Sequence, residues 1–176
     1  MKIHQIQIRH QEAEDRLLLR LSTSDNSEFR FWLTRRFVKR LWELLVQMLD
    51  WDNAVRQQVN PDTRRTVLDL QHEGYAQQAD YSKPFEESPR LMPLGEVPTL
   101  VASATGKKGD GGVLTLSLHP QQGQGIDMTL DTGLLHIFTR LLRDAVAGTD
   151  WDVNLVLYQA QEKDAQSPNP LPRKLN

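Results

Sequence analysis

Leu17, Leu19 and Leu21 recur at every second position, and Phe29, Phe31 and Leu33 do the same a few residues later. A period of two places each trio on one face of a strand. Between them, Ser22–Ser27 is rich in small polar residues that favour a turn. From Phe37 the spacing becomes helical: Phe37, Leu41, Leu44, Leu45 and Met48 fall on one stripe. Thr34 offers a hydroxyl to an N–H of the first turn, as an N-cap does. Arg16–Leu49 therefore reads as a β-hairpin running directly into an amphipathic helix. Val38, Trp42, Val46 and Leu49 form a second apolar stripe on that helix. A helix buried only against a sheet needs one stripe of about 100°. The second stripe implies a further contact, with another part of the chain or with another subunit.

The pattern returns at an offset of 97 residues, from Leu17 to Leu114, without a gap. Leu114, Leu116 and Leu118 match the first trio; Ile126, Met128 and Leu130 match the second. Leu134, Phe138, Leu141 and Leu142 match Phe37, Leu41, Leu44 and Leu45. Asp-Trp-Asp follows each helix, at Asp50–Asp52 and, three residues further on, at Asp150–Asp152. The gapless register and the repeated triplet point to an internal duplication. The competing explanation is that binary patterning is generic to hairpin–helix units.

The remaining chain fits around these two units. Ile3–Arg9 reads as a strand with His4, Ile6 and Ile8 on one face, and His10–Asp15 as a polar turn. Asn60 and Pro61 mark the start of a helix running from Asp62 to about Gln78. Its apolar content is thin, and Gly74 inside it costs about 1 kcal/mol relative to alanine. Ser82–Pro98 holds Pro84, Pro89, Pro93 and Pro98 and reads as a surface linker pinned by Phe85, Leu91, Met92 and Leu94. Leu100–Thr105 reads as a strand and Gly106–Gly112 as a hairpin tip. Asp131 or Thr132 caps a helix that runs to Ala147 and closes at Gly148. Asp152–Gln159 is expected to be a further strand, and the proline-bearing tail 160–176 a disordered docking segment.

The expected fold class is α+β: two duplicated antiparallel strand–hairpin–helix (βββα) repeats, related by a pseudo-twofold and joined by a helical, proline-rich insertion. Repeat one takes residues 1–52, the insertion 53–98 and repeat two 99–159, all within a single domain. At 176 residues such a chain buries a core without covalent staples.

Composition narrows the function only slightly. There is no cysteine, which removes disulfides, thiolate metal sites and a cysteine nucleophile. A formal charge of -2 gives no global pull toward nucleic acid or membrane. No segment approaches the roughly 20 apolar residues of a membrane span, and the first residues hold no signal-peptide core. A cytoplasmic protein with no membrane partner is the default expectation.

Locally the charge is segregated. Arg35, Arg36, Lys39 and Arg40 open the first helix, and Arg64 and Arg65 open the next. Guanidinium groups pair well with phosphates, so these six are candidates for an anionic partner such as a nucleic-acid backbone. The bland alternative is a solvated face whose charges meet the acidic insertion. Cations at a helix N-terminus oppose its macrodipole, so an anion or an internal carboxylate is expected nearby. The second unit carries Thr132, Gly133, His136 and Ile137 at the equivalent positions.

Asp50 and Asp52 are too few to hold a hard cation, and the five histidines form no ligand pair at helical spacing. Gly106–Gly112 precedes no helix and reads as a turn, not a phosphate cradle. No catalytic constellation, cofactor or metal site is expected. Trp32 faces away from the inferred core and, with Trp42 and Val46, is a candidate interface residue. Three functional readings follow. The first is a non-catalytic protein-binding or assembly module that self-associates as a homodimer or takes a partner. The second is a nucleic-acid-binding accessory protein using the basic residues. The third is a small-molecule binder or enzyme with a pocket between the repeats.

Overall fold

A computed structural model describes residues 2–51, 55, 57–78, 84–86 and 90–157. The described residues form seven strands: β1 (Ile3–Gln11), β2 (Arg16–Thr23), β3 (Glu28–Thr34), β4 (Thr99–Leu100), β5 (Ser103–Lys108), β6 (Leu114–His119) and β7 (Ile126–Leu130). Residues with helical spacing build α1 (Arg35–Leu49), α2 (Pro61–Gln78) and α3 (Thr132–Ala147). The fold is α+β. Sheet one has the order β1-β2-β3-β4 and sheet two the order β5-β6-β7. All pairs are antiparallel except β3 with β4.

The two hairpins share one register. Leu17, Leu19 and Leu21 lie opposite Leu33, Phe31 and Phe29, and Leu114, Leu116 and Leu118 lie opposite Leu130, Met128 and Ile126. The caps correspond as well. Thr34 Oγ1 accepts from the Phe37 N–H at 3.2 Å, and Asp131 Oδ1 accepts from the Leu134 N–H at 2.7 Å. A polar side chain at that position satisfies an N–H that has no partner within the helix.

Each helix packs across the first strand of the other unit. α1 lies on β5, α3 lies on β1, and the two helices touch. This accounts for the doubled apolar surface of α1, which buries Phe37, Val38, Leu41, Trp42, Leu45, Met48 and Leu49. The second contact is therefore within the chain. One contiguous core joins both sheets with α1, α2 and α3.

Three expected elements differ. Leu100–Thr105 is not one strand. Thr99–Leu100 pairs with β3, the Val101 N–H donates to the Trp32 carbonyl (3.1 Å), and the Ala102 N–H donates to the His119 carbonyl (2.9 Å). The chain thus passes from one sheet to the other within three residues. Gly106 belongs to β5, and the reversal falls at Asp110–Gly112, where Gly111 and Gly112 take left-handed angles. Residues 152–157 form no strand. The Val153 N–H folds back to the Trp151 carbonyl (2.8 Å), and Leu155 is buried by side-chain packing instead of by a ladder. Residues 158–159 and the tail 160–176 lie outside the described residues.

Asn60 Oδ1 accepts from the Asp62 N–H at 2.8 Å and caps α2. α2 rests on α3, with Leu68 buried and Leu70 exposed. A methyl group added at Gly74 meets no atom within 4 Å. Gly74→Ala should therefore stabilise the protein by about 0.5–1 kcal/mol, read as a rise in the urea midpoint without a change in slope. A fall would show that α2 is not an ordinary helix at this position.

Candidate functional site

The six basic candidates do not form one cluster. Arg35, Arg36, Lys39 and Arg40 occupy the first two turns of α1 and are exposed. None of the four side chains has an ion pair or hydrogen bond to another described residue. Arg64 and Arg65 sit on α2, where Arg64 donates to the Gln58 carbonyl (3.1 Å) and Arg65 pairs with Asp69 (3.8 Å). The internal carboxylate expected to answer the α1 cations is thus not found among the described residues.

Of the interface candidates, Trp42 is buried and its indole N–H donates to the Val156 carbonyl at 2.9 Å. Val46 is half-buried. Trp32 is half-buried on the outward face of sheet one, between Leu18 on β2 and Leu100 on β4. Trp151 is buried edge-on against His10, and its indole donates to Asp15 Oδ1. Trp51 is half-buried at the end of α1, and Asp52 lies outside the described residues. None of the described helices is long and apolar enough to cross a membrane.

Beside the basic turns lies a groove of about 230 Å³. Phe37, Arg40, Leu41 and Leu44 of α1 form one wall, and residues 102–104 form the other. Arg40 is the one charged residue in the lining. Arg36 precedes it by one helical turn and shares its side of α1. The signal for this groove was in the sequence: β5 places Ala104 and Gly106 opposite Leu118 and Leu116, where β1 places Ile6 and Ile8 opposite Leu21 and Leu19. Small residues at core positions leave space.

Two polar constellations join distant parts of the chain. Glu28, 2% exposed, accepts from Arg20 Nε at 2.8 Å and from Arg30 Nε at 2.7 Å. The Phe85 ring lies against two guanidiniums, with Arg20 at 4.2 Å and Arg90 at 5.1 Å from its centroid. This cation–π contact fastens the insertion to the outer face of sheet one. Burial pushes the Glu28 carboxyl up, but the hydrogen bonds and charges of Arg20 and Arg30 outweigh it and hold it below its ordinary range.

The second constellation is a buried histidine pair. His72 Nδ1 of α2 and His136 Nδ1 of α3 are 3.2 Å apart, and Tyr75 stacks on His136 at 5.1 Å. Two neutral rings make this contact only if one carries its proton on Nδ1 and the other on Nε2. Burial lowers the His72 pKa, and Arg143 and Arg140 act in the same direction, partly offset by Asp69 and Asp144. Sixty-four residues separate the two histidines, so spacing within a helix gave no sign of the pair.

No protein-family model matches the chain, and neither a curated protein nor a solved structure matches it.

Removing the Glu28 charge takes a buried carboxylate from Arg20, Arg30 and Arg90, which lie 2.8, 2.7 and 3.9 Å from it. Glu28→Gln should cost about 3–5 kcal/mol, measured by urea denaturation, and a loss under 1 kcal/mol would mean that the arginines find water instead. For His72 the folded pKa is depressed, so the stability gained by holding its ring neutral is complete above the ordinary value of 6.5 and is lost as pH falls below it. Amide exchange in α2, corrected for intrinsic rates, should quicken between about pH 7.5 and pH 5.5. His72→Leu should remove that dependence. Equal protection of α2 at both pH values in the unmodified protein would contradict the assignment.

Proposed function

We propose that this chain is a non-catalytic protein-binding module whose partner brings carboxylates to the basic start of α1. The observation that carries this is the set of four exposed cations, Arg35, Arg36, Lys39 and Arg40, with no ionic partner among the described residues. They oppose the helix dipole and repel one another, which costs stability. An anionic partner offsets that cost. The neighbouring apolar groove favours a protein as that partner. Trp42 is used inside the chain, which favours a different partner over a second copy.

A single-stranded nucleic acid is the second reading, supported by the outward face of sheet one. Arg9 lies opposite Leu18, and Leu18 opposite Trp32. An aromatic side chain amid cations is how such strands are stacked and held.

We also infer that the two hairpin–helix units arose by duplication. The shared register, the corresponding caps and the reciprocal helix packing support this. Because the basic turns occur in one unit only, the binding role belongs to that unit's divergence.

The test replaces all four cations by glutamine and measures anisotropy of labelled polyglutamate and of single-stranded DNA. The unmodified protein should bind polyglutamate at low salt and release it as salt rises. The quadruple variant should lose that binding and melt at a higher temperature. A lower melting temperature would make the cluster structural, and binding of DNA alone would select the second reading.

A further inference from the structure

We propose that the free edge of β5 and the groove beside it form a docking site for an extended acidic peptide segment, which adds to sheet two as a strand and seats one large apolar side chain against α1. This rests on the reading of the α1 start as a binding surface and names the form its partner takes.

The edge comes first. Among the described residues β5 pairs with β6 alone. In an antiparallel ladder, alternate residues turn their N–H and C=O groups away from the partner. β5 therefore offers a row of donors and acceptors to an incoming backbone, the arrangement that β-strand addition uses. Edges of this kind are hazards unless charge or cover blunts them. Here the exposed outer positions of β5 include Lys107. A strand carrying carboxylates is attracted to that charge.

The groove supplies specificity. α1 runs beside β5 and approaches it at Gly106, where an added Cβ would stand 2.7 Å from Met48 Sδ and 3.2 Å from Leu44 Cδ1. The seam is closed there. At Ala104, one step along the same face, it opens into the space of about 230 Å³. β1 fills the position of the same register with Ile6. An incoming strand has a period of two, so a residue facing the groove has its neighbours at two positions either side on the same face. Those neighbours run along the wall that carries Arg40 and, one turn earlier, Arg36. The intervening residues face outward toward Thr105 and Lys107. The preferred ligand is thus an apolar anchor flanked by carboxylates, in an extended conformation.

The probe is a labelled nine-residue peptide with a central leucine and threonine and glutamate alternating on either side. Its partners are the same peptide with alanine at the centre, the same peptide with alternate amides N-methylated, and polyglutamate. The leucine peptide should bind about tenfold more tightly than its alanine counterpart. N-methylation on the bonding edge should abolish the difference. Amide exchange in Ser103–Lys108 should slow in the complex. Ala104→Ile, which copies the residue β1 uses, should remove the leucine preference and leave polyglutamate binding intact. If the leucine and alanine peptides bind equally while polyglutamate still binds, the strand site is wrong and the basic-surface reading stands. If neither peptide nor polyglutamate binds at low salt, both are wrong. Displacement of the leucine peptide by single-stranded DNA, with DNA the tighter ligand, would overturn the choice of a peptide partner.

Discussion

The exchange of helices between the two hairpin units is the constraint on which the rest of the structure depends. A three-stranded antiparallel unit with one apolar face must cover that face. Neither unit relies on its own helix alone. α1 crosses to β5 and α3 crosses to β1, so the leucines of each hairpin are sealed by both halves together. This explains why α1 is apolar on two sides, one serving the sheets and α3, the other receiving residues 151–157 through Trp42 and Val156. The thinly apolar insertion adds Val55 and Leu68 to that core, with Val67 and Leu94 packed against it.

The insertion is held by polar devices as well. Its Phe85 ring sits against Arg20, which Glu28 neutralises, and its helix docks through Leu68 and the His72–His136 contact. Buried ion pairs of this kind gain little net stability over apolar packing, because desolvation consumes most of the Coulomb attraction. Their geometry is demanding, and that demand selects one position for the insertion over others. Sheet one can afford a buried carboxylate on its outer face because two arginines alternate into the same patch, at Arg20 on β2 and Arg30 on β3.

Much of this was legible in the residues. The two hairpins, their turns, the caps at Thr34, Asn60 and Asp131, and the span of α3 follow from period, side-chain oxygens and the absence of interrupting prolines. What the sequence hid were relations between distant segments. Leu100–Thr105 has the composition of a strand, yet β4 and β5 belong to different sheets, a division that only the closing of two sheets around one core imposes. Val153, Leu155 and Leu157 alternate like a strand and are held by packing without a ladder partner. The four basic residues of α1 were visible as a group, but Arg64 and Arg65 joined them only in sequence. Gly106 reads as part of a turn, because glycine marks a reversal as readily as it marks a gap beside a helix, and Ala104 reads as an ordinary strand residue.

The proposed site draws its two walls from different halves of the chain, and that follows directly from the helix exchange. The first unit supplies the cations of α1, and the second supplies a first strand with small residues in place of isoleucines. Had each helix stayed on its own sheet, α1 would have faced Ile6 and Ile8, and no groove would lie beside Arg40. The cations and the gap are each unremarkable alone: one is a solvated helix face, the other an underfilled seam. Placed side by side by the crossing of α1 onto β5, they become a charged and apolar slot along a strand edge that no described residue pairs. Under the duplication proposed above, the positions the two units share serve the core, and the positions where they differ gather where α1 meets β5.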